Sequence, residues 1–159
     1  MKTSEICKGA AIAALYVVLT YVASLLGLSS GAIQIRFSEA LCVFALFWKS
    51  AVPGLTLGCL LANTLTGAHI FDIIFGSFAT FIGVSGTYML RDKPRIALWM
   101  PVISNTVIVP LVLKYAYGMG DAYYYLALTV GLGEVISIIV IGSALLAVLK
   151  RYKSTLAKI

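Results

Sequence analysis

The residue most able to do chemistry is Glu134, which stands alone as a charge between Asp121 and Lys150 in an otherwise apolar stretch. A carboxylate at the centre of a lipid-length helix is unfavourable by about 2.5–3.5 kcal/mol on insertion scales, so it needs a partner, a proton or a water-filled cavity. Such a group marks a ligand or ion contact; a structural ion pair with a basic residue on another helix is the plainer alternative. Asn63 and Asn105 lie in two further apolar stretches. Each amide offers two donors and an acceptor, which suits the edge of a heterocycle, and equally a hydrogen bond between helices. Asp72, near His69, is either a ligand contact or an acid complementing the dipole at a helix start, and His69 reads as an interfacial histidine. The strip Gln34-Ile35-Arg36-Phe37-Ser38-Glu39 sets Arg36 and Glu39 at i, i+3 beside two more polar side chains. Turned inward, it lids a pocket. Facing water, the pair contributes only a few tenths of a kcal/mol.

Machinery for bond-breaking is missing from the sequence. There is no G-x-x-x-x-G-K-[ST] phosphate loop, no H-E-x-x-H, no Ser/His/Asp arrangement, and a single histidine. Cys7, Cys42 and Cys59 are odd in number and follow neither C-x-x-C nor zinc spacing, so no metal, cofactor or disulfide framework is expected. The chain is read as a non-enzyme, unable to hydrolyse ATP by itself.

The elements that hold these residues must be membrane helices. Of 159 residues, 61% are hydrophobic and 11% charged, against roughly 45–50% and 25% in soluble domains. The length suits one all-α, polytopic domain of six transmembrane helices, at about 20 residues per span. Expected spans are 9–28, closed by Ser29, Ser30 and Gly31, then 37–51, 53–66, 70–90, 96–115 and 123–149. The second and third are too short to cross a hydrocarbon core of roughly 30 Å, so the outer end of the second must be sheltered by protein or lie deep. Pro53 suits the first turn of the third, whose stripe Gly54, Gly58, Ala62 lets another helix approach closely. Short, Pro/Gly-marked spans beside buried acid and amide groups describe a cavity open to the outer half of the bilayer, built for a small polar solute.

With six spans, ten of the twelve basic residues fall on the side of the termini, leaving Arg36 and Lys114 opposite. By the positive-inside rule both termini are cytoplasmic. Trp48 and Trp99 then lie near the inner interface, and Tyr115, Tyr117, Tyr123, Tyr124 and Tyr125 near the outer one. The net charge of +6 thus reports orientation, and no basic stretch alternates with exposed aromatics as nucleic-acid binding requires. In the first span, Gly9, Ala10, Ala13 and Ala14 form two overlapping small-xxx-small pairs, suited to another membrane protein or to packing within the bundle.

Several blocks together resemble the QueT family, the substrate-binding S components of energy-coupling factor (ECF) transporters: Gln34-Ile35-Arg36-Phe37-Ser38-Glu39-Ala40-Leu41, Pro53-Gly54-Leu55 through Asn63-Thr64, Asp72-Ile73-Ile74-Phe75-Gly76-Ser77 and Pro101-Val102-Ile103-Ser104-Asn105. The resemblance spans nearly the whole chain. It implies a six-helix subunit of a bacterial plasma membrane that captures a queuosine precursor, a deazaguanine base such as prequeuosine or queuine, from outside. It further implies docking through an Ala-x-x-x-Ala surface, matched by Ala10 and Ala14, onto a transmembrane coupling subunit (EcfT) tied to two ABC ATPases, with delivery by toppling. For such a ligand, Glu134 is the expected carboxylate for an N–H and amino pair, and Asn63 and Asn105 the amides. Asp72 or Glu39 would balance an aminomethyl cation, Arg36 would hold the loop over the site, and Phe75 or an outer tyrosine would stack on the ring. Three alternatives stay open: an S component for another vitamin or nucleobase, a stand-alone facilitator or channel, and a structural membrane subunit without a ligand.

Overall fold

A computed structural model describes residues 3–28 and 34–152, and every described element is helical. Helix α1 covers Thr3–Leu25, a 3₁₀ segment Phe37–Leu46, α2 Ala51–Leu65, α3 Ile70–Met89, α4 Pro94–Ala97, α5 Trp99–Tyr115, α6 Tyr123–Glu134, a π segment Val135–Ile141 and α7 Gly142–Arg151. Four stretches are long and apolar enough to cross a membrane: Thr3–Leu25, Ile70–Met89, Pro94–Tyr115 and Tyr123–Arg151.

The first expected span starts six residues earlier than 9 and stops at Leu25. Gly27, at φ +71°, turns the chain there: the Leu28 N–H reaches the Ala23 carbonyl and the Gly27 N–H the Ser24 carbonyl, the paired bonds of a Schellman stop. Gly67 ends α2 in the same way, with Ala68 bonded to Asn63 and Gly67 to Thr64. The stop expected at Ser29, Ser30 and Gly31 lies outside the described residues, as do Lys2, Lys153 and Lys158.

The second expected span differs most. It ends at Leu46 instead of 51, and it winds as a 3₁₀ helix. At about 2.0 Å per residue its ten residues reach roughly 20 Å. Its shortness is answered by shelter, since Ser38 to Val43 and Ala45 are all buried and the segment touches α1, α2, α3, α7 and the π segment. It is the central column of the bundle rather than a wall.

Around that column α1, α2, α3, α5 and α6 follow one another as packed neighbours. Small residues set the spacing. A Cβ on Gly54 would lie 2.6 Å from the Gly9 carbonyl oxygen, one on Gly58 2.8 Å from Cβ of Tyr16, and one on Gly83 2.4 Å from Cα of Pro101. The stripe on α2 therefore receives α1, as its spacing predicts. Of the two small-residue pairs on α1, Gly9 and Ala13 face α2, whereas Ala10 and Ala14 are exposed on the neighbouring face, about 100° around the helix.

The remaining spans keep their expected positions with local breaks. Leu98 interrupts 96–115, separating the short α4 from α5, and Pro110 sits buried inside α5. The sixth span runs as an α-helix to Glu134, widens into π turns, and resumes at Gly142. Two apolar clusters lock the bundle, one around Tyr16, Leu41, Leu55 and Val84, the other joining Val43 to Leu98, Val102, Ile138 and Leu146.

Candidate functional site

The polar strip between α1 and the 3₁₀ segment is turned inward. The Arg36 backbone N–H donates to Ser137 Oγ at 3.2 Å, and Gly133 leaves room for the strip: a Cβ there would lie 2.1 Å from the Gln34 carbonyl oxygen. Glycine at 133 therefore lets the backbone of 34–36 lie directly on the last turn of α6. Arg36 is consequently drawn into the bundle, 4.0 Å from Asp72 across the site.

The strip divides the interior into two polar spaces. The outer one is a cavity of about 460 Å³, lined by Gln34, Arg36, Asn63, Asp72 and Tyr117 with Thr20, Ser24, Thr66, Val109 and Leu113 among the remainder. The inner one, of about 10 Å³, is lined by Gln34, Arg36, Glu39, Thr80, Asn105, Val109, Val130 and Glu134. A volume that size holds at most about one water. Gln34, Arg36 and Val109 belong to both walls, so two side chains of the strip are the partition between them.

Glu134 is 8% exposed, and its Oε2 has no hydrogen-bond partner. The Asn105 side chain lines the same small space. Among the described residues the ion pairs are Lys8 with Glu5 and Arg36 with Asp72. The plain reading of Glu134 as half of a structural ion pair therefore has no support in the geometry. Asp72 repeats the pattern: Oδ2 takes Arg36 and, at 3.4 Å, the Tyr117 hydroxyl, while buried Oδ1 has no partner. Unmet buried acceptors of this kind are the atoms to which an incoming N–H donor would bind.

The other predicted residues separate into three kinds. Glu39 is deeply buried and already engaged, accepting from the Tyr16 hydroxyl and, at 3.6 Å, from Cys42 Sγ. It ties the strip to α1, together with the Thr20 hydroxyl donating to Ser38 at 2.8 Å. Asn63 uses its amide between helices, donating to the Asp72 carbonyl at 3.4 Å and to Cys59 Sγ at 3.6 Å, yet it still lines the outer cavity. Phe75 is not brought to either space. The buried face of α3 runs through Asp72, Gly76, Ala79, Gly83 and Thr87. Phe75 falls beside that face, stacked on Phe71, in an apolar groove of about 340 Å³ against Leu111, Val112 and Tyr115.

Of the tyrosines expected at the outer interface, Tyr117 does reach the site. Its hydroxyl accepts the His69 backbone N–H at 3.0 Å and donates to Asp72, while His69 leans on the phenol ring at 5.6 Å. Burial raises the Tyr117 phenol above its ordinary value; the His69 N–H opposes this and the Asp72 carboxylate adds to it. The hydroxyl thus remains protonated, and a donor, at neutral pH. Sequence reasoning missed Thr80 and Gly133, neither of which differs by type from an ordinary packing residue, and the π turns after Glu134. No three His, Cys, Asp or Glu side chains among the described residues converge to hold a metal ion.

The profile of the QueT transporter family matches residues 6–151. The chain belongs to the QueT transporter family. It is also similar to the queuosine precursor transporter QueT of Lactococcus lactis subsp. cremoris (strain MG1363), 38% identical over 92 residues, or 58% of this chain and 54% of that relative. The match spans about half the length of the relative. No solved structure matches the chain. All four residue blocks that carry the QueT resemblance lie within the matched range, and each of them supplies at least one wall residue of the two polar spaces.

Proposed function

We propose that the chain is the substrate-binding S component of an ECF-type importer and captures a queuosine precursor, a 7-deazaguanine base, from outside the cell. The observation that carries this reading is the pair of buried carboxyl oxygens, Oε2 of Glu134 and Oδ1 of Asp72, each without a partner and each in the wall of a polar space inside an apolar bundle. A base enters the outer cavity, whose 460 Å³ falls in the range of small-ligand sites. The Gln34 and Arg36 side chains then withdraw, joining the two spaces, and the N–H and amino edge of the base meets Glu134. Asn105 reads the neighbouring carbonyl. An aminomethyl arm, where the ligand has one, points back to Asp72.

Charge supports the direction. The cavity mouth lies at the end of the bundle away from Lys8, Lys49, Lys93 and Lys150, which the positive-inside rule assigns to the cytoplasm. Release inward then requires the whole subunit to topple, driven by partner ATPases through a coupling subunit seated on the exposed Ala10 and Ala14. Small side chains on a lipid-facing surface permit close helix contact.

The test is direct binding to purified protein. Deazaguanine bases should bind and displace one another, while riboflavin, thiamine and biotin should not. Preferential binding of one of those vitamins would transfer the chain to another substrate. Uptake into liposomes without any ATPase subunit would replace the importer reading with a facilitator.

A further inference from the structure

A second groove lies at the end of the bundle opposite the candidate site. It has a volume of about 790 Å³, between α4 with the start of α5 on one side and the π segment with α7 on the other. Its floor is apolar: Leu98 and Leu146 are buried, and Ile139 is half-buried. Its rim is cationic. Lys93 and Arg95 approach from the α4 side and Lys150 from the last turn of α7. No carboxylate lines the groove, and no ion pair among the described residues uses any of the three cations. Asp92, the acid of the adjoining turn, is exposed and outside the lining. Trp99, 45% exposed, stands in the same wall.

We infer that this groove is a binding site for an anionic phospholipid, with its phosphate on Lys93, Arg95 and Lys150 and its acyl chain along Leu98, Ile139 and Leu146. Cations gathered from two separate elements over an apolar floor match both parts of such a molecule. Basic pockets between membrane helices bind acidic headgroups, and an indole at headgroup level marks the depth. A free phosphate would satisfy the rim and leave the floor wet. A zwitterionic lipid would cover the floor but bring a cation to a rim that has three. Ser143 adds a hydroxyl to the lining, available to a phosphate oxygen. Because the lipid bridges α4 and α7, it fastens the ends of two spans that pack on each other chiefly through α5 and α6 and, nearer this end, through the Leu98, Val102, Ile138 and Leu146 cluster.

The experiment uses the full chain in phosphatidylcholine nanodiscs with and without phosphatidylglycerol, and in detergent with inorganic phosphate. Amine-selective labelling should show Lys93 and Lys150 protected by phosphatidylglycerol, by on the order of tenfold relative to phosphatidylcholine alone, with Lys49 and Lys114 much less affected. Native mass spectrometry should retain phosphatidylglycerol on the wild-type chain and lose it on Lys93→Gln/Arg95→Gln/Lys150→Gln. Lys93→Arg/Lys150→Arg should retain it. Equal protection in phosphatidylcholine, equal protection by inorganic phosphate, or protection by a co-purifying protein in place of lipid would each overturn the assignment. So would undiminished lipid retention by the charge-removed variant. The labelling needs only the wild-type protein, so poor folding of a variant leaves the decision intact.

Discussion

Glu134→Gln separates a binding role from a packing role, because the two predict opposite signs in a paired measurement. The carboxyl is 8% exposed, Asn105 shares the wall of the small space with it, and Oε2 has no partner. In the empty protein this is an unmet acceptor with a cost of about 1–3 kcal/mol. A glutamine of the same shape turns to suit Asn105 and carries no charge, so the empty variant should be more stable by an amount in that range. In the loaded protein the same carboxylate receives donors from the base, and charge-assisted bonds contribute about 1.5–3 kcal/mol each. Loss of one such bond weakens binding by about 10- to 150-fold, and the amide N–H₂ faces a ligand donor as well. Thermal unfolding without ligand and calorimetric titration with a deazaguanine base, on one preparation, read both effects. Affinity unchanged in the variant removes Glu134 from the site. A fall in stability alongside the fall in affinity would show that Glu134 holds the helices together.

Four other outcomes follow from the same geometry. Gly133→Ala places a Cβ where the Gln34 carbonyl oxygen now lies at 2.1 Å, so the strip must lift; base affinity should drop more than about tenfold while circular dichroism shows the helices unchanged. Tyr117→Phe removes the hydroxyl linking His69 to Asp72, a loss of about 0.5–1.5 kcal/mol that should appear in stopped-flow traces as faster base release. Tyr16→Phe leaves the buried Glu39 without its main donor and should destabilise the bundle by about 2–4 kcal/mol, seen as a lower unfolding midpoint. Ala10→Leu/Ala14→Leu, on the exposed face of α1, should leave base binding intact and abolish co-purification with a coupling subunit, whereas Gly58→Leu, facing Tyr16, should unfold the protein.

Much of the fold can be read from the chain because lipid imposes a strong rule: long runs without charge must be helices. The four long helices lie where hydropathy puts them. The short second span is also visible as a geometric misfit, and its burial is the expected answer. Its 3₁₀ winding is not, because Ser38 to Leu46 suits an α-helix equally well by composition, and the tighter coil arises from crowding on every side. Both small-residue pairs on α1 are evident in the sequence; which faces α2 depends on rotation about the helix axis, fixed here by Gly54 and Gly58. Arg36, Asp72, Glu134 and the two asparagines are identifiable as polar groups in the wrong solvent. Their division between two spaces is not, because it rests on where the Gln34 and Arg36 side chains lie between α3, α5 and α6. Phe75 shows the converse limit, since its aromatic type suggests stacking and only its position at the edge of the α3 face removes it.

The wide turns at Val135–Ile141 mean that the sixth span accommodates a surplus residue without growing longer. They allow the half ending at Glu134 and the half holding Leu146 to keep independent rotational phase, one aligned with Asn105 and the other with Val43. Excising a single residue from the α turns on either side would rotate one half against the other by about 100°, detaching the acid from its neighbours while every side chain kept its chemistry, whereas the same excision within the wide turns would be absorbed by a return to α winding. In this span, length is as tightly specified as composition.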